Sequence, residues 1–169
     1  MSYLLRELLA VDSIRTLQFF LDVLQEEKLP SGIEEPDLMY VASVLSHYSI
    51  TSSGDRKHTP LMSSLSEIMD EFLIPVAYSG VSVSSEVLEV AGAQTLMLNG
   101  FFRSQMRQRH NLSFFDRIGK TFFFSAGFFS HDSKKKEVLP RVAKNFTEWA
   151  LVLNRVNQKA LDRRYLIVS

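Results

Sequence analysis

The sequence predicts an all-α fold, a single compact bundle of about six to eight helices formed by residues 1–169. Three observations carry this expectation. Apolar residues recur at three- and four-residue spacing along most of the chain. Proline, glycine and serine cluster where those stripes stop. Only Tyr78 to Ser85, where Val81 and Val83 alternate with serines, has the pattern of a strand, and it has no partner to make a sheet.

The elements follow in order. Ser2 to Lys28 reads as helix, in one piece or in two with Asp12 or Ser13 as a cap between the Leu4, Leu5, Leu8, Leu9 stripe and the Ile14, Leu17, Leu21, Leu24 stripe. Leu29-Pro30-Ser31-Gly32 ends it. Glu35-Pro36-Asp37 opens a second helix with Leu38, Val41, Leu45 and Tyr48 on one side, and Thr51 to His58 is a polar loop. Thr59-Pro60 starts a helix whose core side is Leu61, Leu65, Ile68, Met69 and Phe72, stopped by Pro75. Tyr78 to Ser85 is expected as an extended connector. A helix from about Ser85 to Leu98 carries Val87, Leu88, Ala91, Thr95 and Leu98, and Gly100 breaks or kinks it.

Nine of the thirteen phenylalanines fall between Asn99 and Ser130. Ser113 and Asp116 have capping-box spacing, which starts a helix there. That helix is apolar nearly all round, with Phe115, Ile118, Phe122, Ala126 and Phe129 on one side and Phe114, Phe124 and Phe128 elsewhere, so it is expected at the centre of the domain. Gly119, Ala126 and Gly127 let neighbouring helices come close. His131 to Lys136 reads as a polar loop. A last helix spans Val138 to Ala160, because Leu139, Phe146, Leu153 and Ala160 interleave with Val142, Trp149 and Val156 at seven-residue spacing, the seam of a long bundle helix. Arg163 to Ser169 is either a strand or an apolar tail docking on the core.

Composition narrows the chemistry. Hydrophobic residues make up 46% of the chain and the net charge is zero, which suits a folded domain rather than disorder. The absence of cysteine removes disulfides, thiolate metal sites and thiol nucleophiles. The N-terminus lacks a basic n-region and its apolar stretch is broken by Arg6 and Glu7, so no signal peptide is expected; no apolar run nears the ~20 residues of a membrane span. A cytoplasmic protein with no membrane partner is the expectation. The charge is unevenly distributed: residues 1–99 hold 5 basic and 14 acidic side chains, and residues 100–169 hold 14 and 5. Either an acidic half packs on a basic half, or a basic face meets an anionic partner.

From Leu38 onward the order of motifs resembles a family of uncharacterised bacterial helical proteins, which share a YVAxLLxxF helix, an ALFxxGFFPE turn and an R…YYxxxGxxAY helix. The matching stretches are Tyr40-Val41-Ala42-Ser43-Val44-Leu45-Ser46-His47-Tyr48, then Thr95-Leu96-Met97-Leu98-Asn99-Gly100-Phe101-Phe102, then Arg109 with Phe114-Phe115, Gly119 and Phe122-Phe123. Arg103-Ser104 replaces the family's Pro-Glu, and phenylalanines replace its tyrosines. The resemblance implies a helical bacterial protein; the family has no assigned activity.

No motif assigns a reaction. His47, His58, His110 and His131 have neither each other nor a carboxylate at metal-ligand spacing, so no metal or cofactor is expected. No nucleophile elbow or phosphate loop is present. Arg103, Arg107, Arg109 and Lys120 crowd the junction of two helices, with aromatic residues between them, as an anion or single-stranded nucleic acid would require; pairing with the acidic half is the competing reading. Phe114, Phe124, Phe128 and Trp149 are candidates for an interface or an apolar pocket. The expected function is a non-enzymatic interaction or regulatory protein that associates with itself or another protein. The alternatives are a nucleic-acid or anionic-ligand binder using the 103–120 segment, and an enzyme or binder for a small apolar ligand in a helical pocket.

Overall fold

The computed structural model describes the backbone of residues 2–51, 62, 64–74 and 84–167, and the side chains of residues 14–49, 62, 64–74 and 84–159. Among the described residues there are eight helices and no strand. They are α1 (Ser2–Gln25), α2 (Glu35–Thr51), α3 (Leu65–Ile68), α4 (Ser85–Leu96), α5 (Arg103–Met106), α6 (Leu112–Phe129), α7 (Ser133–Lys144) and α8 (Phe146–Ile167). Two π-helical turns extend this order, Met69–Leu73 after α3 and Met97–Phe101 after α4.

Local chemistry starts and stops these helices. At α2, Asp37 reaches back to accept from Glu34 N at 2.9 Å, one half of a capping box, and Pro36 sits in the first turn where its missing N–H costs nothing. Ser64 and Ser84 cap α3 and α4 by accepting from the amides of Glu67 and Val87. Asn111 caps α6, accepting from Phe114 N at 3.2 Å. This displaces the expected Ser113–Asp116 box: Ser113 is exposed, and Asp116 turns inward. Asp132 accepts from the amides of Lys134 and Lys135 and so begins α7 inside the stretch expected to be a loop. The chain leaves α1 through Gly32, whose φ of 74° is the left-handed conformation glycine adopts without penalty.

The seam expected of one long terminal helix belongs to two. Asn145 (φ −103°, ψ 22°) donates its amide to Arg141 O, ending α7, while its own carbonyl accepts from Trp149 N at 2.9 Å, beginning α8. One residue out of helical geometry leaves the phase nearly intact. Leu139, Val142, Phe146, Trp149, Leu153 and Val156 therefore all remain in the core. The tail is helix to Ile167, not a strand. Helix α1 is a single element whose Leu24 is fully buried while Ile14 stands exposed. Leu38, Val41, Leu45 and Tyr48 face inward as expected, as do Leu65, Ile68 and Phe72. The polar loop after Thr51, the Thr59-Pro60 helix start, Pro75 and most of the Tyr78–Ser85 connector lie outside the described residues.

Part of the uneven charge is paired within the molecule. Of six ion pairs among the described residues, five join an acid from the first 99 residues to a base from the remainder: Glu27 with Arg155 and Lys159, Asp37 and Glu34 with Arg141, and Glu89 with Lys135. Asp37 is buried and Arg141 Nε donates to both of its oxygens, tying the start of α2 to α7 across 104 residues of sequence.

Candidate functional site

Helix α6 organises the domain. It packs most extensively on α4 and α7, with Phe115, Gly119, Phe122, Phe123, Ala126 and Gly127 buried. A Cβ on Gly119 would overlap the ring of Phe146, and one on Gly127 would lie 2.8 Å from Pro140 Cδ. Both glycines therefore set how closely α8 and α7 approach. Phe123 fills the space between α4 and α8, its ring 6.0 Å from that of Phe146 and edge-on to Tyr40.

The helix is not buried all round. Arg117, Thr121, Phe124 and Phe128 follow one another at three- and four-residue spacing along an exposed stripe, and Phe129 projects at its end. Phe128 is 77% exposed and Phe129 58%. The two rings meet edge to face, with centroids 5.0 Å apart and planes at 89°. Beside the stripe a groove of about 340 Å³ is lined by Leu73, Phe114, Arg117, Ile118, Thr121 and Phe122. Thr121 turns its hydroxyl back to Arg117 O, leaving the Arg117 guanidinium as the charged group at the rim.

The opposite side of α6 is fixed by a buried polar lock. Asn99, in the π-helical turn after α4, donates Nδ2 to Leu112 O at 3.0 Å and to Asp116 Oδ1. Arg103 Nη1 reaches Asn99 O at 2.9 Å and Asp116 Oδ1 at 3.4 Å. In this π-helical turn Met97 O accepts from Phe102 N, five residues on, while two other carbonyls accept from side chains. Arg103 serves that of Asn99, and Asn157 Nδ2 serves that of Phe101 at 2.8 Å. Gly100 completes the junction, since a Cβ there would lie 3.0 Å from the Ala150 backbone of α8.

These contacts divide the residues singled out in the sequence. Arg103 is mostly covered and committed to the lock. Arg107 and Arg109 lie exposed in the turn between α5 and α6, and Lys120 is half-buried on α6. The four cations thus stand in different settings, Arg103 in an internal ion pair and Arg107 and Arg109 exposed. Phe114 lines the groove and Phe124 and Phe128 stand on the exposed stripe, whereas Trp149 is fully buried in the core with no hydrogen-bond partner for its indole N–H. His47 packs on Tyr48, His110 on the Phe115 ring, and His131 is exposed; His58 is outside the described residues. Among the described residues no three His, Asp or Glu side chains are grouped to hold a metal ion.

A second hollow, of about 310 Å³ between α2 and α4, holds a network invisible in the sequence spacing. Tyr40 donates its hydroxyl to Glu89 Oε1 at 3.0 Å, and Lys135 Nζ donates to Oε2 at 2.8 Å. Burial, reinforced by the Glu89 charge, pushes the Tyr40 phenol well above its usual range, and the Glu89 hydrogen bond raises Lys135. Both Glu89 oxygens are engaged, so this network ties α2, α4 and α7 together. Lys135 belongs to the first turn of α7, not to a solvated loop. Comparison with protein-family models, curated proteins and solved structures finds no match to this chain.

Proposed function

We propose that this chain is a non-enzymatic interaction protein whose working surface is the exposed stripe of α6 with the groove beside it. The observation that carries this reading is the exposure of Phe124, Phe128 and Phe129, adjacent in space, next to an apolar groove. Contiguous exposed aromatic surface marks a place where a partner sits. The buried carboxylates support the same reading, because Asp37, Asp116 and Glu27 are each spent on an ion pair that joins two parts of the fold.

The test places a photo-crosslinking phenylalanine analogue at Phe128 and, as a control, at exposed Gln158 of α8. The reading expects adducts in living cells at position 128 well above those at position 158. Equal yields at the two positions would remove the support for this surface.

A further inference from the structure

The same face shows which class of partner it fits, and the argument rests on the reading above. Four cations border it. Arg117 and Lys120 lie on α6, one or two turns from Phe124. On α7, Pro140 packs against Gly127 of α6, so the residues one turn before and after it, Lys136 and Lys144, border the same face. Both are exposed. Among the described residues none of these four cations is paired with a carboxylate. Of the acids on these elements, Asp132 caps α7, exposed Glu137 lies one turn from Arg141, whose charge it feels, and Asp70 and Glu71 are exposed on the turn that brings Leu73 to the groove. The partner is therefore anionic.

Its other property is apolar, with no fixed shape of hydrogen bonds. The groove offers hydrocarbon and ring surface, and Thr121 withholds its hydroxyl. Phe128 and Phe129 stand perpendicular, so they give no parallel slot in which a nucleic-acid base could stack. Projecting phenylalanines ringed by lysine and arginine match the boundary between headgroups and acyl chains of an anionic bilayer. Such attachment needs no spanning helix; among the described residues none is long and apolar enough to cross a membrane. We propose that the α6–α7 face, through Phe124, Phe128, Arg117, Lys120, Lys136 and Lys144, docks on the surface of an anionic phospholipid bilayer.

The chain has no cysteine, which permits clean labelling. Phe128→Cys and Gln158→Cys proteins carrying an environment-sensitive fluorophore are mixed with vesicles of phosphatidylcholine alone or with phosphatidylserine added, and unlabelled protein is assayed by vesicle flotation. The proposal expects a blue shift at position 128 only, on phosphatidylserine vesicles, weakening with salt. Charge reversal of Lys120 and Lys136 together should lower vesicle affinity at least about 25-fold, taking roughly fivefold per cation. Phe124→Ser with Phe128→Ser should abolish flotation while thermal melting stays as in the parent.

Binding equal on neutral and anionic vesicles, unchanged affinity of the charge-reversed protein, or no flotation would overturn the proposal. So would salt-sensitive binding of a single-stranded oligonucleotide that the Phe124 and Phe128 changes abolish in place of flotation. Absent flotation with strong crosslinking to a protein at position 128 would refute the bilayer and leave the interaction surface standing. Absence of both would refute the two together.

Discussion

Replacing Asp116 by alanine tests the lock that holds α6 against the turn after α4. Asp116 is buried, and the Arg103 side chain beside it is 11% exposed. Breaking a buried ion pair by removing one partner costs about 3–5 kcal/mol, mostly from the charge left behind. Arg103 keeps its bond to Asn99 O, and Asn99 keeps its bond to Leu112 O, so the lower end applies, about 3 kcal/mol. For a domain of this size that corresponds to a fall in Tm of roughly 6–12 °C. Urea titration read by fluorescence of Trp149, the single tryptophan, gives the free energy directly. The companion Arg103→Met with Asp116→Leu removes both charges and should recover most of the loss. A cost below about 1 kcal/mol for Asp116→Ala, or a double variant as unstable as the two single changes added, would refute a buried, coupled pair.

Two further outcomes follow from the geometry. Gly119→Ala should destabilise, because overpacking against the buried Phe146 ring costs about 1–3 kcal/mol and exceeds the gain of about 0.8–1.0 kcal/mol in helix propensity; the penalty should shrink in a Phe146→Leu background, and a stabilised Gly119→Ala protein would disprove the close approach. Burial opposes ionisation of Glu27, yet Lys159 and Arg155 hold its carboxyl below its ordinary value of 4.5. Its contribution is therefore complete above that value and is lost as pH falls through the lower folded value. Urea midpoints measured from neutral pH into the acid range should fall less steeply below about pH 4.5 for Glu27→Gln than for the parent, and parallel curves would count against the Glu27 cluster.

The fold was legible wherever periodicity and punctuation agreed. The faces of α2, α3 and α8 could be read because Leu38, Leu65 or Leu153 repeats at helical spacing with nothing to compete. The break at Asn145 was hidden because one non-helical residue barely shifts the phase of a heptad. Asp132 was hidden for the opposite reason: three lysines after it read as a solvated run, while their amides make a capped first turn. The charge asymmetry pointed to internal pairing but not to the partners, since Asp37–Arg141 and Glu27–Arg155 span more than a hundred residues. Asn99 left one trace, an amide inside the apolar run Leu96 to Phe102, and its value appears only when Asp116 and Arg103 meet it in space. The phenylalanine count singled out the segment of α6 but not its exposed side, because a pattern apolar all round names no face.

On the reading proposed above, that exposed side has its cause outside the fold. Transfer of a phenylalanine from water into a core is worth about 1.5–3 kcal/mol, and Phe128 forgoes most of it. Helix α6 already has its packing surfaces in Phe115, Phe122, Phe123 and Ala126, and its approach distances in Gly119 and Gly127. Phe128 adds little to that packing; serine or glutamine there would suit folding and solubility as well. The exposed apolar surface gains free energy only when something covers it. The cations on both edges of that surface oppose a like-charged partner and draw an anionic one. On that reading a single helix has two separate tasks along its length: its inner side closes the core, and its outer side is kept for a partner.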